Sequence, residues 1–271
     1  MPPNYQAPAP RLGWAIGGLI LATCLVYLNS LTGPFVFDDQ SAILENPTIR
    51  RLGSLGDVLS PHLDGGLTIS GRPVVNLSLA LNYAWGGYGV MGYHLFNLLV
   101  HGLAGLTLFG LLRRTLAGRL PSSPLAGAPG NRFAGTRWSE NALGLAFFTT
   151  LLWLVHPLQT SAVTYVVQRA ELLMALCYLL TLYSFLRGVS AVHPGRWLIL
   201  SWCACLVGMA CKEVMATAPL MVLLYDRIFV AGSFAEAWAR RRRYYLGLAS
   251  SWLLLAYLVI GTAGRGGTAG F

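Results

Sequence analysis

Two adjacent carboxylates, Asp38 and Asp39, stand directly after the first long apolar run, in the stretch Phe35-Val36-Phe37-Asp38-Asp39. Charged residues make up 11% of the chain, against about 25% in soluble domains. An acidic doublet at the edge of an apolar run therefore calls for a partner or a use. One carboxylate of such a pair can take a proton from a hydroxyl. The other can orient that hydroxyl, or raise its neighbour's pKa by like-charge repulsion. The alternative is a solvated loop that caps a short helix beginning near Ser41. Positive charge able to stabilise a departing anion occurs much later, at Arg169 and Lys212.

These residues must be placed by the apolar runs between them. The chain has 271 residues, 55% of them hydrophobic, and a mean hydropathy of +0.57. Its pattern predicts an all-α integral membrane protein with about seven transmembrane helices. The expected spans are 13–31, 93–112, 142–155, 172–186, 197–211, 214–230 and 244–260. Residues 1–12, rich in Pro and Ala, read as a disordered N-terminus, and the run Leu12 to Leu31 reads as a retained anchor. Residues 33–92 form a large first loop. Within it Pro73 to Trp85 reads as a short helix, with Val74, Leu77, Leu81 and Trp85 at three- and four-residue steps. At that length it lies at the interface or re-enters. The five cysteines fall in apolar runs or at their ends and read as small buried hydrophobes.

A net charge of +9 comes from one Lys and eighteen Arg. With loops alternating in side, about thirteen basic residues fall with the N-terminus and about six opposite. That bias makes the N-terminus cytoplasmic and explains the charge without nucleic acid as a partner. The same alternation puts Asp38-Asp39, His156-Pro157, Arg169-Ala170-Glu171 and Lys212-Glu213 on one outer face. Charges at membrane depth stay favourable when paired or lining a wet cavity. A sugar on a polyprenyl phosphate suits such a set. The phosphate leaves without a general acid but needs positive charge, and the acceptor hydroxyl needs a base. A single displacement would invert the anomeric carbon. Each cluster also has a plain reading. In that reading Arg169 and Glu171 are a helix-start pair, Lys212 and Glu213 an interfacial anchor, and His156 a span end before Pro157. His94, Asn97 and His101 share a face of the second span and suit helix-to-helix bonding. Asn76-Leu77-Ser78 is a weak glycosylation sequon. No His, Asp and Glu set has metal-ligand spacing, so no metal or other cofactor is assigned beyond the lipid-linked donor.

Taken in order, these stretches resemble a known family. They are Phe35 to Asp39, Ser70-Gly71-Arg72-Pro73 to Asn82-Tyr83, Gly92-Tyr93-His94-Leu95-Phe96-Asn97 with His101, His156 to Thr160, Gln168 to Leu173, and Lys212-Glu213. The series is similar to the transmembrane O-mannosyltransferases of the cadherin-modifying type, and closer to their bacterial relatives with tetratricopeptide repeats. These are GT-C class glycosyltransferases, and the resemblance covers Gly33 to Tyr225. It implies a partial GT-C fold over 13–271 and a sugar donor on a polyprenyl or dolichyl phosphate. It implies a protein hydroxyl as acceptor, and the lipid bilayer as surroundings. Residue by residue, it implies Asp38 and Asp39 as the catalytic and acceptor-binding pair. Arg169, Lys212 and Arg72 would contact the lipid phosphate, with His156, Glu171, Glu213 and His94 in support. Gln168, where animal members favour Gly, points to a bacterial inner membrane rather than the endoplasmic reticulum. Full-length members carry more spans and then helical repeats, so the chain reads as a fragment, a truncated product or a minimal member. A transporter of lipid-linked substrate and an inactive membrane scaffold remain the alternatives from other classes.

Overall fold

The computed structural model describes residues 9–60, 68–117 and 137–262, and every regular element among them is helical. The tail before Ala9, Asp64, Arg119, Arg132 and the stretch with Arg265 lie outside the described residues. In chain order the α-helices are α1 (Ala9–Tyr27), α2 (Leu55–Leu59), α3 (Pro73–Gly86), α4 (Val90–Leu116), α5 (Arg137–Glu140) and α6 (Ala142–Leu154). Then come α7 (Thr160–Thr164), α8 (Arg169–Ser190), α9 (Pro194–Met209), α10 (Ala218–Asp226), α11 (Phe234–Ala249) and α12 (Ser251–Gly261).

The apolar runs become the long helices, but not as seven equal spans. Five stretches are long and apolar enough to cross a bilayer: Arg11–Thr32, Val90–Leu116, Val166–Ser190, Glu213–Ala231 and Phe234–Gly261. The expected third span is broken. Ala142–Leu154 and Pro157–Thr164 are bent by 51° and make a sixth only if counted together. The cause is local: Pro157 has no N–H to give, and the His156 ring Nδ1 accepts the Leu158 N–H at 3.2 Å. The expected fifth span, 197–211, forms the helix Pro194–Met209, which is shorter than a crossing helix needs to be.

The described residues of the 33–92 stretch contribute to a packed core. Ile43, Ile49, Val58, Ile69, Val75 and Leu79 are wholly buried and share a core with Tyr93, Val166 and Val167. Pro73 opens α3 at its first turn, as predicted, and Gly87 (φ +56) closes it in a conformation that a side chain would strain. The buried face is Val75, Ser78, Leu79 and Asn82, whereas Leu81 and Trp85 of the expected apolar stripe face outward. Asn76 is fully buried. Its amide donates to Thr48 and to the Val58 carbonyl, both at 2.9 Å, so the sequon is closed to modification in this fold. Within the bundle, α4 approaches α6 so closely that a Cβ on Gly105 would meet Leu154 at 2.5 Å. Small residues at such crossings let helices pack by van der Waals contact, which replaces the hydrophobic drive that lipid cannot supply.

Candidate active site

The turn that bears the doublet is held by residues 127 and 128 positions further along the chain. Phe37 has φ +46, an outlier for a bulky residue, and its ring is 87% exposed. The two acids that follow it differ completely in surroundings. Asp39 is wholly buried: Oδ1 accepts the Val167 N–H at 2.8 Å and Oδ2 accepts the Val36 N–H at 3.1 Å. Burial holds its pKa above the ordinary value, and those two N–H groups, Arg169 and His94 pull it part of the way back. Asp38 is exposed. Its N–H donates to the Tyr165 hydroxyl at 2.8 Å, and the phenol also engages its carboxylate. Burial, with the charges of Asp38 and Asp39 beside it, raises the Tyr165 pKa, so the phenol keeps its proton. The Tyr165 ring also meets Phe37 edge-on, with centroids 6.3 Å apart.

The three expected phosphate-binding cations are all engaged within the protein. Arg169 is wholly buried and clamps α3 to α4. Its Nη1 donates to Asn82 Oδ1 at 2.7 Å and Ser78 Oγ at 3.4 Å, and its Nη2 donates to the Tyr93 carbonyl at 3.2 Å. The guanidinium also lies over the Phe96 ring, 4.7 Å from its centre. Arg72 is 3% exposed. It donates to the Thr68 carbonyl at 2.7 Å and pairs with Glu213 at 3.3 Å. Lys212 pairs with Glu171 and keeps a side chain 20% exposed. The structure thus joins Arg72, Glu213, Lys212 and Glu171 into two ion pairs carried by consecutive residues. It sets Arg169 apart, under the turn of Asp39.

His94, Asn97 and His101 bond to backbone, as their shared face suggested. His94 Nε2 meets the Gly33 carbonyl at 3.0 Å. The Asn97 amide donates to the Val163 and Val166 carbonyls at 3.3 and 3.2 Å. His101 Nε2 meets the Leu154 carbonyl at 2.9 Å, which Tyr27 also reaches. Leu154, Val163 and Val166 end or begin the helices interrupted near Pro157. The stripe on α4 therefore satisfies carbonyls that the bend sets free at membrane depth. His156 is exposed and serves as the cap of that bend. Where the bend leads the chain away, a cavity of about 490 Å³ opens between α4, α6, α7 and α8. Gln159, Ser161, Gln168 and Glu171 supply its polar lining.

No family model matches the chain, and no solved structure matches it. Curated proteins do. The chain is 34% identical over 223 residues to protein O-mannosyl-transferase Tmtc1 of Drosophila melanogaster, covering 80% of this chain and 23% of that protein. It is 31% identical over 244 residues to protein O-mannosyl-transferase TMTC4 of Homo sapiens, covering 82% of this chain and 30% of that protein. The chain is a homologue of the Tmtc protein O-mannosyl-transferases. It spans less than a third of the length of the Tmtc relatives named here. Those relatives are animal proteins, and the expectation of a bacterial membrane draws nothing from them.

For a Tmtc homologue, the site holds residues that spacing alone did not single out. Tyr165 is one, and Trp153, Gln159 and Gln168 at the cavity are others. Gln159 and Gln168 lie within the stretches that carry the resemblance, so the signal was present without a role attached. Tyr165 offered no signal short of the fold, because its partner is Asp38.

Proposed function

We propose that the chain transfers a sugar from a polyprenyl or dolichyl phosphate to a protein hydroxyl, with inversion, on the membrane face opposite its N-terminus. Mannose is the sugar this reading adopts, since the relatives are named protein O-mannosyl-transferases. The observation that carries it is Asp38, an exposed acid whose backbone N–H is held by Tyr165 while its neighbour Asp39 is closed off. Asp38 is the general base. The acceptor oxygen attacks the anomeric carbon as its proton passes to the carboxylate. The bond from that carbon to the phosphate oxygen breaks, and the phosphate leaves as an anion. Lys212, the cation with the most exposed side chain of the three, stabilises that anion by turning from Glu171. Arg169 and Arg72 serve as scaffold because both are buried and bonded. Asp39 fixes the turn. The bilayer and a protein acceptor are the partners, and the GT-C class is part of the same proposal.

Asp38→Asn is the test. Transfer of labelled mannose from a polyprenyl phosphate to a Ser/Thr peptide should fall by roughly 10²-fold or more, with the unfolding midpoint unchanged. Undiminished transfer by that variant would sink the assignment.

A further inference from the structure

The cavity beside the broken helix has an uneven chemistry. Gln159, Ser161, Gln168 and Glu171 line it together with Trp153 and Leu158. Ala104, Leu172, Met174 and Ala175 line it as well, and two of those are only methyl groups. Its volume of about 490 Å³ lies within the range of about 300–1,000 Å³ usual for small-molecule sites. Among the described residues that line it there is no Arg or Lys. A phosphate buried there would meet the Glu171 carboxylate and no cation in the lining itself.

We infer that this cavity is the subsite for the neutral, hydroxyl-rich sugar of a lipid-linked donor, an inference that rests on the transfer reading above. Each amide of Gln159 and Gln168 both donates and accepts, and Ser161 does the same with one oxygen. The Glu171 carboxylate adds acceptor oxygens. That set matches hydroxyl groups, which also donate and accept. One face of Trp153 is stacked on His101, at 5.1 Å between centroids, which fixes the ring. The rest of the indole is left for the C–H surface of a sugar, and the alanines leave room for the first apolar carbons of its carrier. The placement also fits the chemistry. Gln168 and Tyr165 belong to one short turn, so one segment carries both the cavity rim and the clamp on Asp38. Lys212 stands behind Glu171 at that rim, where a phosphate outside the cavity would meet it.

The test uses the full chain in nanodiscs of zwitterionic lipid and two probes. One is a short isoprenyl mannoside without phosphate; the other is the same isoprenyl phosphate without sugar. The mannoside should raise the unfolding midpoint of the wild type. Gln168→Ala and Ala175→Trp should each weaken that binding at least tenfold. Should Ala175→Trp fail to fold, Gln168→Ala carries the test, since it only removes an amide from a half-buried side chain. The pocket assignment is overturned if the mannoside does not bind, or if both variants bind it as the wild type does. It is also overturned if the sugar-free phosphate binds with the same sensitivity to these variants. A protein that binds mannoside in this pattern yet transfers no sugar upholds the pocket and rejects the transfer reading. Transfer that depends on Asp38, with mannoside binding blind to both variants, rejects the pocket alone.

Discussion

At one end of the bundle Asp226 is wholly buried, accepting from Arg241 Nη1 at 2.9 and 2.8 Å and from the Tyr245 hydroxyl. At the other end Asp38 stands exposed with one phenol against it. Further ion pairs join Glu236 with Arg240, Arg72 with Glu213, and Lys212 with Glu171. The closed end even bends its helix for the sake of the pair. Arg241 leaves helical geometry (φ −131, ψ 21) as its guanidinium reaches Asp226. The open end bends instead at Phe37, and there the strain leaves a carboxylate unburied. Strain combined with an exposed acid, rather than acidity as such, separates a candidate reactive group from a structural one.

That contrast can be broken by substitution. Asp226→Ala should have the largest effect on stability, about 3–5 kcal/mol, because Arg241 would be left without its partner. A fall in the unfolding midpoint in detergent or nanodisc measures it, and any transfer per folded molecule should be unchanged. Asp39→Asn should lose about 1–3 kcal/mol, since one backbone N–H would face an amide donor instead of an acceptor. Its pH dependence has a definite sign. Burial holds the folded Asp39 pKa above its ordinary 3.8, so its contribution is full below that ordinary value and fades as pH rises through the folded one. The stability gap between wild type and Asp39→Asn should therefore widen as the pH is lowered from 7. Tyr165→Phe keeps the ring against Phe37 but removes the hydroxyl. Transfer should drop about tenfold, a loss of about 1.4 kcal/mol in the barrier, through kcat rather than acceptor KM. A matching loss of stability instead would make Tyr165 part of the closed class. Glu236→Gln should change stability by less than about 0.5 kcal/mol, as a half-exposed helical pair contributes little.

The sequence made the helices legible where their signals were local. Pro73 marked the start of α3, and the apolar runs marked the spans. Pro157 marked an end, though it turned out to be a bend with a helical continuation to Thr164. What composition could not show was which partners cross the chain. Asp38 and Asp39 are adjacent and look alike, and only Tyr165 and Val167 tell them apart. Arg169 looked available because its acceptors, Asn82 and the Tyr93 carbonyl, lie 87 and 76 positions earlier. Asp226 did carry a readable signal: it is an acid within an apolar span, which calls for a buried counter-charge. Arg241 lies 15 positions on.

Residues 33–92 have a consequence for Asp38. Their core includes Val166, Val167 and Ala170 at the start of a membrane helix and Cys211 just past the end of α9. The acid's turn is thereby tied to the same buried core as those helix ends, so a cavity opened in that core would reach the carboxylate as well.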